Sequence, residues 1–181
     1  MESVALLLEI VLPAVVVGIM AYLLMNGYLK YEETKNKLDI ERSRQGIILP
    51  ARMQAYERVI LFLERATPES LIRRILKTNT SARLFQSDLI SAVRSEYDHN
   101  MSQQVYMSAN SWSMLKTATE ETIRLINISA SKLSATATAT DLAENILQIT
   151  SQINKFPTQV AIDNIKKEFS QYFLFTTSKK E

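Results

Sequence analysis

The stretch VALLLEIVLPAVVVGIMAYLLMNGYL, Val4 through Leu29, is one continuous apolar run. It has the length needed to cross a bilayer as a helix. Its only ionisable residue, Glu9, lies near its start. A cleaved signal peptide would have a basic start and a small-residue cleavage site. Here the start is Met1-Glu2-Ser3, and Asn26-Gly27-Tyr28-Leu29-Lys30-Tyr31 closes the run without a small-x-small site. The run therefore reads as a retained anchor.

Lys and Arg near its two ends set the orientation. The N-terminal side has none, whereas the C-terminal side carries Lys30, Lys35, Lys37, Arg42 and Arg44. The positive-inside rule puts the bulk of the chain in the cytoplasm and the N-terminus outside. Tyr22, Tyr28 and Tyr31 suit the interfacial belt, where the ring sits among headgroups and the hydroxyl stays wet. Within the run, Pro13 removes the helical partner of the Glu9 carbonyl, and Ala14 and Gly18 form a small-xxx-small pair. Glu9, Pro13, Ala14 and Gly18 are thus the candidate contact between membrane helices. A shallow, snorkelling Glu9 is the plainer reading.

Composition points to helices for the remainder. The 181 residues include only three glycines, four prolines and no cysteine. A sheet protein needs many turn residues, so this scarcity favours helices with few connections. Without cysteine there are no disulfides, thiolate metal sites or cysteine nucleophile. The net charge of +2 is too small to indicate nucleic acid.

Residues 30–46 are mixed in charge and read as a stalk that Gly46 and Pro50 end. A helix then runs from Pro50 to about Ala66. It contains Val59-Ile60-Leu61-Phe62-Leu63, which is apolar on every side and must be buried all round or face a partner. Thr67-Pro68-Glu69 opens the next helix, and Ser81 caps the one after it, with Leu84, Phe85, Leu89, Val93 and Tyr97 as its apolar stripe. A break or a tightened turn is expected at Asp98-His99-Asn100. A longer helix comes next, centred on 108–134, with Trp112, Leu115, Thr119, Ile123, Ile126, Ala130 and Leu133 as its stripe. The threonine-rich stretch 134–140 reads as a fraying end or exposed linker. Asp141 caps a helix carrying Leu142, Ile146, Ile149 and Ile153, and Pro157 opens the last, with Ala161, Ile165, Phe169, Tyr172 and Phe173 inward. Such helices bury their stripes only against each other. The expected fold is all-α, an N-terminal transmembrane helix followed by a cytoplasmic multi-helix bundle. Its parts are an anchor at 1–29, a juxtamembrane stalk at 30–49, a helical domain at 50–175 and a polar tail at 176–181.

Site chemistry is sparse. His99, the only histidine, stands beside Glu96 and Asp98, a spacing that matches no metal-ligand pattern. The glycines are scattered, so no phosphate loop can form, and no nucleophile elbow accompanies the histidine. No cofactor, metal or catalytic residue is expected. The best basic feature is Arg73, Arg74, Lys77 and Arg83, read as a lipid-facing, nucleic-acid-facing or merely solvated surface. The candidate partner surface comprises Val59, Leu61, Phe62, His99 and Gln103.

Three segments, Leu49–Arg65 (LPARMQAYERVILFLER), Glu96–Tyr106 (EYDHNMSQQVY) and Phe156–Glu168 (FPTQVAIDNIKKE), together with the N-terminal run, resemble an uncharacterised family of single-pass, membrane-anchored proteins from Bacteroidota. The resemblance implies a bacterial inner-membrane protein with a helical cytoplasmic domain, so the N-terminus that the positive-inside rule places outside is expected in the periplasm. It carries over no activity. The expected function is a non-enzymatic, membrane-anchored interaction or scaffold protein, an accessory subunit of a larger inner-membrane complex. Its expected partners are membrane lipid and other membrane proteins or further copies of itself, not nucleic acid. The alternatives are a stalk-like subunit of a membrane machine or, ranked lower, an adaptor tethering nucleic acid or ribosomes, or lying on a lipid surface.

Overall fold

A computed structural model describes the backbone of residues 2–177 and the side chains of residues 15–40, 46 and 48–171. Among the described residues there are six α-helices, one 3-10 helix and no strand: α1 (Glu2–Arg65), α2 (Pro68–Ile75), α3 (Ala82–Asn100), the 3-10 helix Met101–Tyr106, α4 (Ala109–Ser131), α5 (Ala139–Ser151) and α6 (Pro157–Thr177). The chain divides into two compact units, Met1–Pro50 and Ala51–Glu181.

The first unit is the N-terminal part of α1. Its described apolar side chains, from Val15 to Leu29, are exposed. Among the described residues no helix is long and apolar enough to cross a membrane. The first part of the Val4–Leu29 run lies outside the residues whose side chains are described, and with it Glu9, Pro13 and Ala14. Gly18 is described, and the space a Cβ would occupy there is open.

The helix break expected at Gly46 and Pro50 is absent, because α1 runs through both. Proline inside a helix leaves the carbonyl four residues back without its N–H donor. That carbonyl belongs to Gly46, and both residues are exposed, so water can take the donor's place.

The second unit is an all-α bundle built around α4. The N-terminal half of α4, through Leu115 and Ala118, packs with Tyr56, Val59, Phe62 and Leu63 of α1 and with Ala161, Ile162 and Ile165 of α6. Its C-terminal half, through Leu125 and Ile126, packs with Leu71 and Ile72 of α2, Phe85, Leu89 and Val93 of α3, and Leu142 and Ile146 of α5. Tyr97 joins the first cluster by sitting between Phe62, which it meets edge-to-face with ring centroids 6.5 Å apart, and Trp112, tilted against it at 5.9 Å.

The helix starts arise from local chemistry. Pro68 sits in the first turn of α2, where its missing N–H costs little, and Glu69 favours the positive helix end. Thr67 precedes it without capping by its side chain, which donates instead to the Glu64 carbonyl at 2.9 Å. The Ser81 hydroxyl accepts from the Leu84 N–H of α3 at 3.4 Å.

Four expectations change. Leu84 does not belong to the α3 stripe and is 61% exposed, because the buried spacing is Phe85, Leu89, Val93. Of the break or tightened turn expected at Asp98-His99-Asn100, the tightening occurs, but later: α3 continues through Asp98 and His99 to Asn100, and the chain then tightens into the 3-10 helix Met101–Tyr106. The stretch 134–140 is no frayed linker. The Ala82 N–H donates to the Ala137 carbonyl and the Ala139 N–H to the Thr80 carbonyl, at 2.9 and 2.8 Å, and Ala137 and Ala139 are buried. The facing turn is made by Asn79 at φ 78°, a left-handed conformation that asparagine tolerates. Thr138, not Asp141, caps α5. The two form a reciprocal capping box with Asp141 as the third helical residue.

At the C-terminal end, Tyr172, Phe173 and the tail from Thr176 lie outside the residues whose side chains are described.

Candidate functional site

The apolar run Val59–Leu63 is divided by its own helical period. Val59, Phe62 and Leu63 turn into the core, and Phe62 is only 1% exposed. Val59 and Phe62 are therefore core residues and not the partner surface expected from sequence. Leu61 faces the other way and is 58% exposed. It lies in an open cleft of about 640 Å³. Helix α1 supplies Arg58, Leu61, Arg65 and the edge of Phe62, α2 supplies Arg74 and Ile75, and α3 supplies Ala92, Glu96 and His99.

The cleft is basic. Glu96 Oε1 accepts from Arg65 Nη2 at 2.6 Å and from Arg74 Nη1 at 3.1 Å. One carboxylate thus faces two guanidinium groups. Arg58 adds a third and makes no ion pair or hydrogen bond among the described residues.

A second groove of about 460 Å³ begins on the other side of Arg58. Ala51 and Gln54 of α1 and Ser102, Gln103, Val105 and Tyr106 of the 3-10 helix line it, and Val105 is 79% exposed. Arg52 Nε pins this helix to α1 by donating to the Tyr106 carbonyl at 3.2 Å. Gln54, Arg58, Leu61 and Arg65 recur at spacings of four, three and four, so they form one outward ridge of α1 with a groove on each side.

The structure therefore brings Leu61, His99 and Arg74 into one cleft and places Gln103 in the neighbouring groove. It does not keep the basic residues together. Arg74 is bound to Glu96, Arg83 lines a groove along the outer face of α3, and Arg73 and Lys77 are exposed. His99 is fixed within its own helix. Its Nδ1 lies 2.6 Å from the Ser95 carbonyl, which only accepts, so Nδ1 donates in this contact. Among the described residues no group of His, Asp and Glu side chains is arranged to hold a metal. Arg58 and Arg65 were missed in the sequence, although their spacing relative to Val59 and Phe62 places them on the outward ridge.

The densest polar cluster lies elsewhere. Glu168 of α6 reaches the N-terminus of α4, where its Oε1 accepts from the Ser108 N–H at 3.1 Å and from the Tyr56 hydroxyl at 2.5 Å. Its Oε2 accepts from the Ser108 hydroxyl at 2.5 Å and from the Ser111 hydroxyl. Ser111 Oγ in turn accepts from Asn164 Nδ2 at 2.9 Å, and Ser108 Oγ accepts from the Ser111 N–H at 3.1 Å as the α4 cap. Burial by itself would raise the Glu168 pKa, but the donors from Ser108, Ser111 and Tyr56 outweigh it and hold the carboxyl below the usual glutamate range. A carboxylate so well satisfied is a weak base, and Ser111 is fully buried and already donating. The cluster is a clamp joining α1, α4 and α6. The side chains bound to Glu168 lie 57 to 112 residues from it, so no local spacing announces the clamp.

A family model described as a family of unknown function (DUF7935) matches residues 2–172. No curated protein and no solved structure matches the chain.

Proposed function

The chain belongs to that family, DUF7935, and from this premise we propose that it is a non-enzymatic interaction subunit, anchored by residues 4–29 in the bacterial inner membrane, that docks partners through its helical domain in the cytoplasm. The observation that carries this reading is the arginine-rimmed cleft around Leu61. A large apolar side chain left 58% exposed between three guanidinium groups is the composition of an interface, with an apolar centre and a charged rim. The exposed apolar side chains from Val15 to Leu29 support the anchor, since a contiguous patch of that kind is rarely left to water. The Lys and Arg residues beyond Leu29 supply the orientation.

Two measurements test the reading. The full chain is expected in the membrane pellet after alkaline carbonate washing and, in mild detergent, in a complex with other protein identified by mass spectrometry. A chain that stays in the high-speed supernatant overturns the anchor. A solitary monomer carrying a bound metabolite overturns the interaction role.

The continuity of α1 through Pro50 favours a second reading, a stalk-like structural subunit. Inserting two residues near Gly46 rotates the C-terminal part of the helix by about 200°. A stalk loses its complex on that insertion, whereas a tether keeps it.

A further inference from the structure

The cleft around Leu61 has a match on the same unit. Among α2 to α6, α5 alone carries acidic residues and no Lys or Arg. Asp141, Glu144 and Leu147 recur every third residue along its outer face, and Leu147 is 39% exposed. Glu144 is exposed and, like Arg58, makes no ion pair or hydrogen bond among the described residues. The dimensions agree as well. Arg58 to Arg65 spans about 10 Å of helix and Asp141 to Leu147 about 9 Å.

We propose that the cleft receives α5 of a second copy of this chain, with Leu147 against Leu61 and Ile75 and with Glu144 meeting Arg58. This rests on the interaction role proposed above and names the partner of that surface. The choice of occupant comes from charge. The cleft holds three arginines against one glutamate, and α5 offers Glu144, with the capping carboxylate of Asp141 one turn before it, on the N-terminal side of Leu147 and with no cation to repel the rim. Such a fit is the helix-in-groove mode, in which a few apolar anchors on one helix face sit in a groove and the rim charges set the register. The two surfaces are different, so the contact is head-to-tail and can repeat from copy to copy. Copies held in one membrane meet at a raised effective concentration, so a contact of this modest size is enough.

The absence of cysteine makes the test clean. Two differently tagged full-length copies, one carrying Leu61→Cys and the other Leu147→Cys, are co-expressed and oxidised in isolated membranes. The expected product is a disulfide-linked pair bearing both tags. Leu61→Cys paired with Leu84→Cys, which is 61% exposed on α3, serves as the background. Arg58→Glu in the first copy, or Glu144→Arg in the second, is expected to lower the yield roughly fivefold, and the two together to restore it. All five substituted positions are exposed, so the fold is retained. A yield no higher than background overturns the proposal, whatever other protein covers the cleft, and so does a loss that the paired reversal leaves unrestored. A chain that remains anchored and complexed while giving no linked pair removes this contact and leaves the interaction role standing. A soluble, solitary chain removes the role itself.

Discussion

Glu168 closes the N-terminus of α4 through Ser108, accepting the Ser108 N–H on one carboxylate oxygen at 3.1 Å and its hydroxyl on the other at 2.5 Å. A helix N-terminus presents unpaired N–H groups and a partial positive charge, and here the compensating anion comes from a different helix. The same oxygens hold Tyr56 and Ser111, so one side chain joins three helices. Glu168→Gln keeps the shape but replaces an accepting oxygen with an amide donor, which then faces hydroxyls that already donate. The expected loss is about 2–3 kcal/mol, against about 1 kcal/mol for Tyr56→Phe, which removes one donor from an anion with others left. Urea unfolding of each variant and of the double variant measures both. Additive losses would show that Tyr56 and Glu168 are not coupled.

The same cluster sets a pH dependence. Burial pushes the Glu168 carboxyl up, the hydrogen bonds from Ser108, Ser111 and Tyr56 pull it down further, and the net value lies below the ordinary 4.5. A carboxyl with a depressed folded pKa gives stability that is complete above its unfolded value and is lost as pH falls through the folded one. Stability is therefore expected to fall as pH drops below about 4.5, and Glu168→Gln should flatten that part of the curve. Tyr56 gives the alkaline counterpart. Burial and the Glu168 carboxylate raise its pKa well above the ordinary 10.0, so ionisation favours the unfolded chain once pH exceeds that value. Thermal melts across pH, with Tyr56→Phe as reference, check the sign.

Glu96 ties the bundle together more weakly. It accepts from both Arg65 and Arg74, but all three side chains are partly exposed. Exposed pairs contribute little and are screened by salt. Glu96→Gln is expected to cost under about 1 kcal/mol at low salt, and the difference from the parent chain should vanish at high salt. A large loss that persists in salt would mean that Glu96 has a packing role the geometry does not show.

Thr138 accepts from the Asp141 N–H at 3.3 Å, while Asp141 Oδ2 accepts from the Thr138 N–H at 2.8 Å. Thr138→Ala removes half of this capping box and is expected to cost about 1 kcal/mol. Thr138→Ser keeps the hydroxyl and should cost far less. Equal losses from the two substitutions would move the effect from the cap to the methyl group.

The helices were legible because their signals are local. Pro68, Ser81 and Pro157 mark starts, and Phe85, Leu89 and Val93 repeat at the helical period. Three kinds of feature were not legible. Threonine-rich 134–140 has poor helix propensity, and only tertiary pairing with Thr80 and Ala82 makes it an ordered turn. Pro50 signals a helix start by its chemistry, yet α1 passes through it, because an exposed helix can leave one carbonyl to water. The Glu168 clamp was invisible for a third reason. Glutamate, serine and tyrosine at such separations form no pattern until the fold brings them together. The cleft was half legible. Leu61 was picked out within a run apolar on all sides, but which side of that run is covered depends on α4 and α6.

That division gives the sharpest test of the packing. Phe62 and Leu61 are neighbours in sequence and both large and apolar, but the core encloses one and the cleft exposes the other. Removing a buried ring costs its transfer energy and leaves a cavity, so Phe62→Ala is expected to lose about 3–5 kcal/mol. Leu61→Ala gives up little buried surface and should stay within about 0.5 kcal/mol of the parent. Denaturant unfolding of the two variants separates them. If Leu61→Ala proves as destabilising as Phe62→Ala, Leu61 is enclosed in the folded monomer and the cleft does not exist as a surface. If it leaves the melting curve unmoved while lowering association between copies, the side chain serves the interface alone.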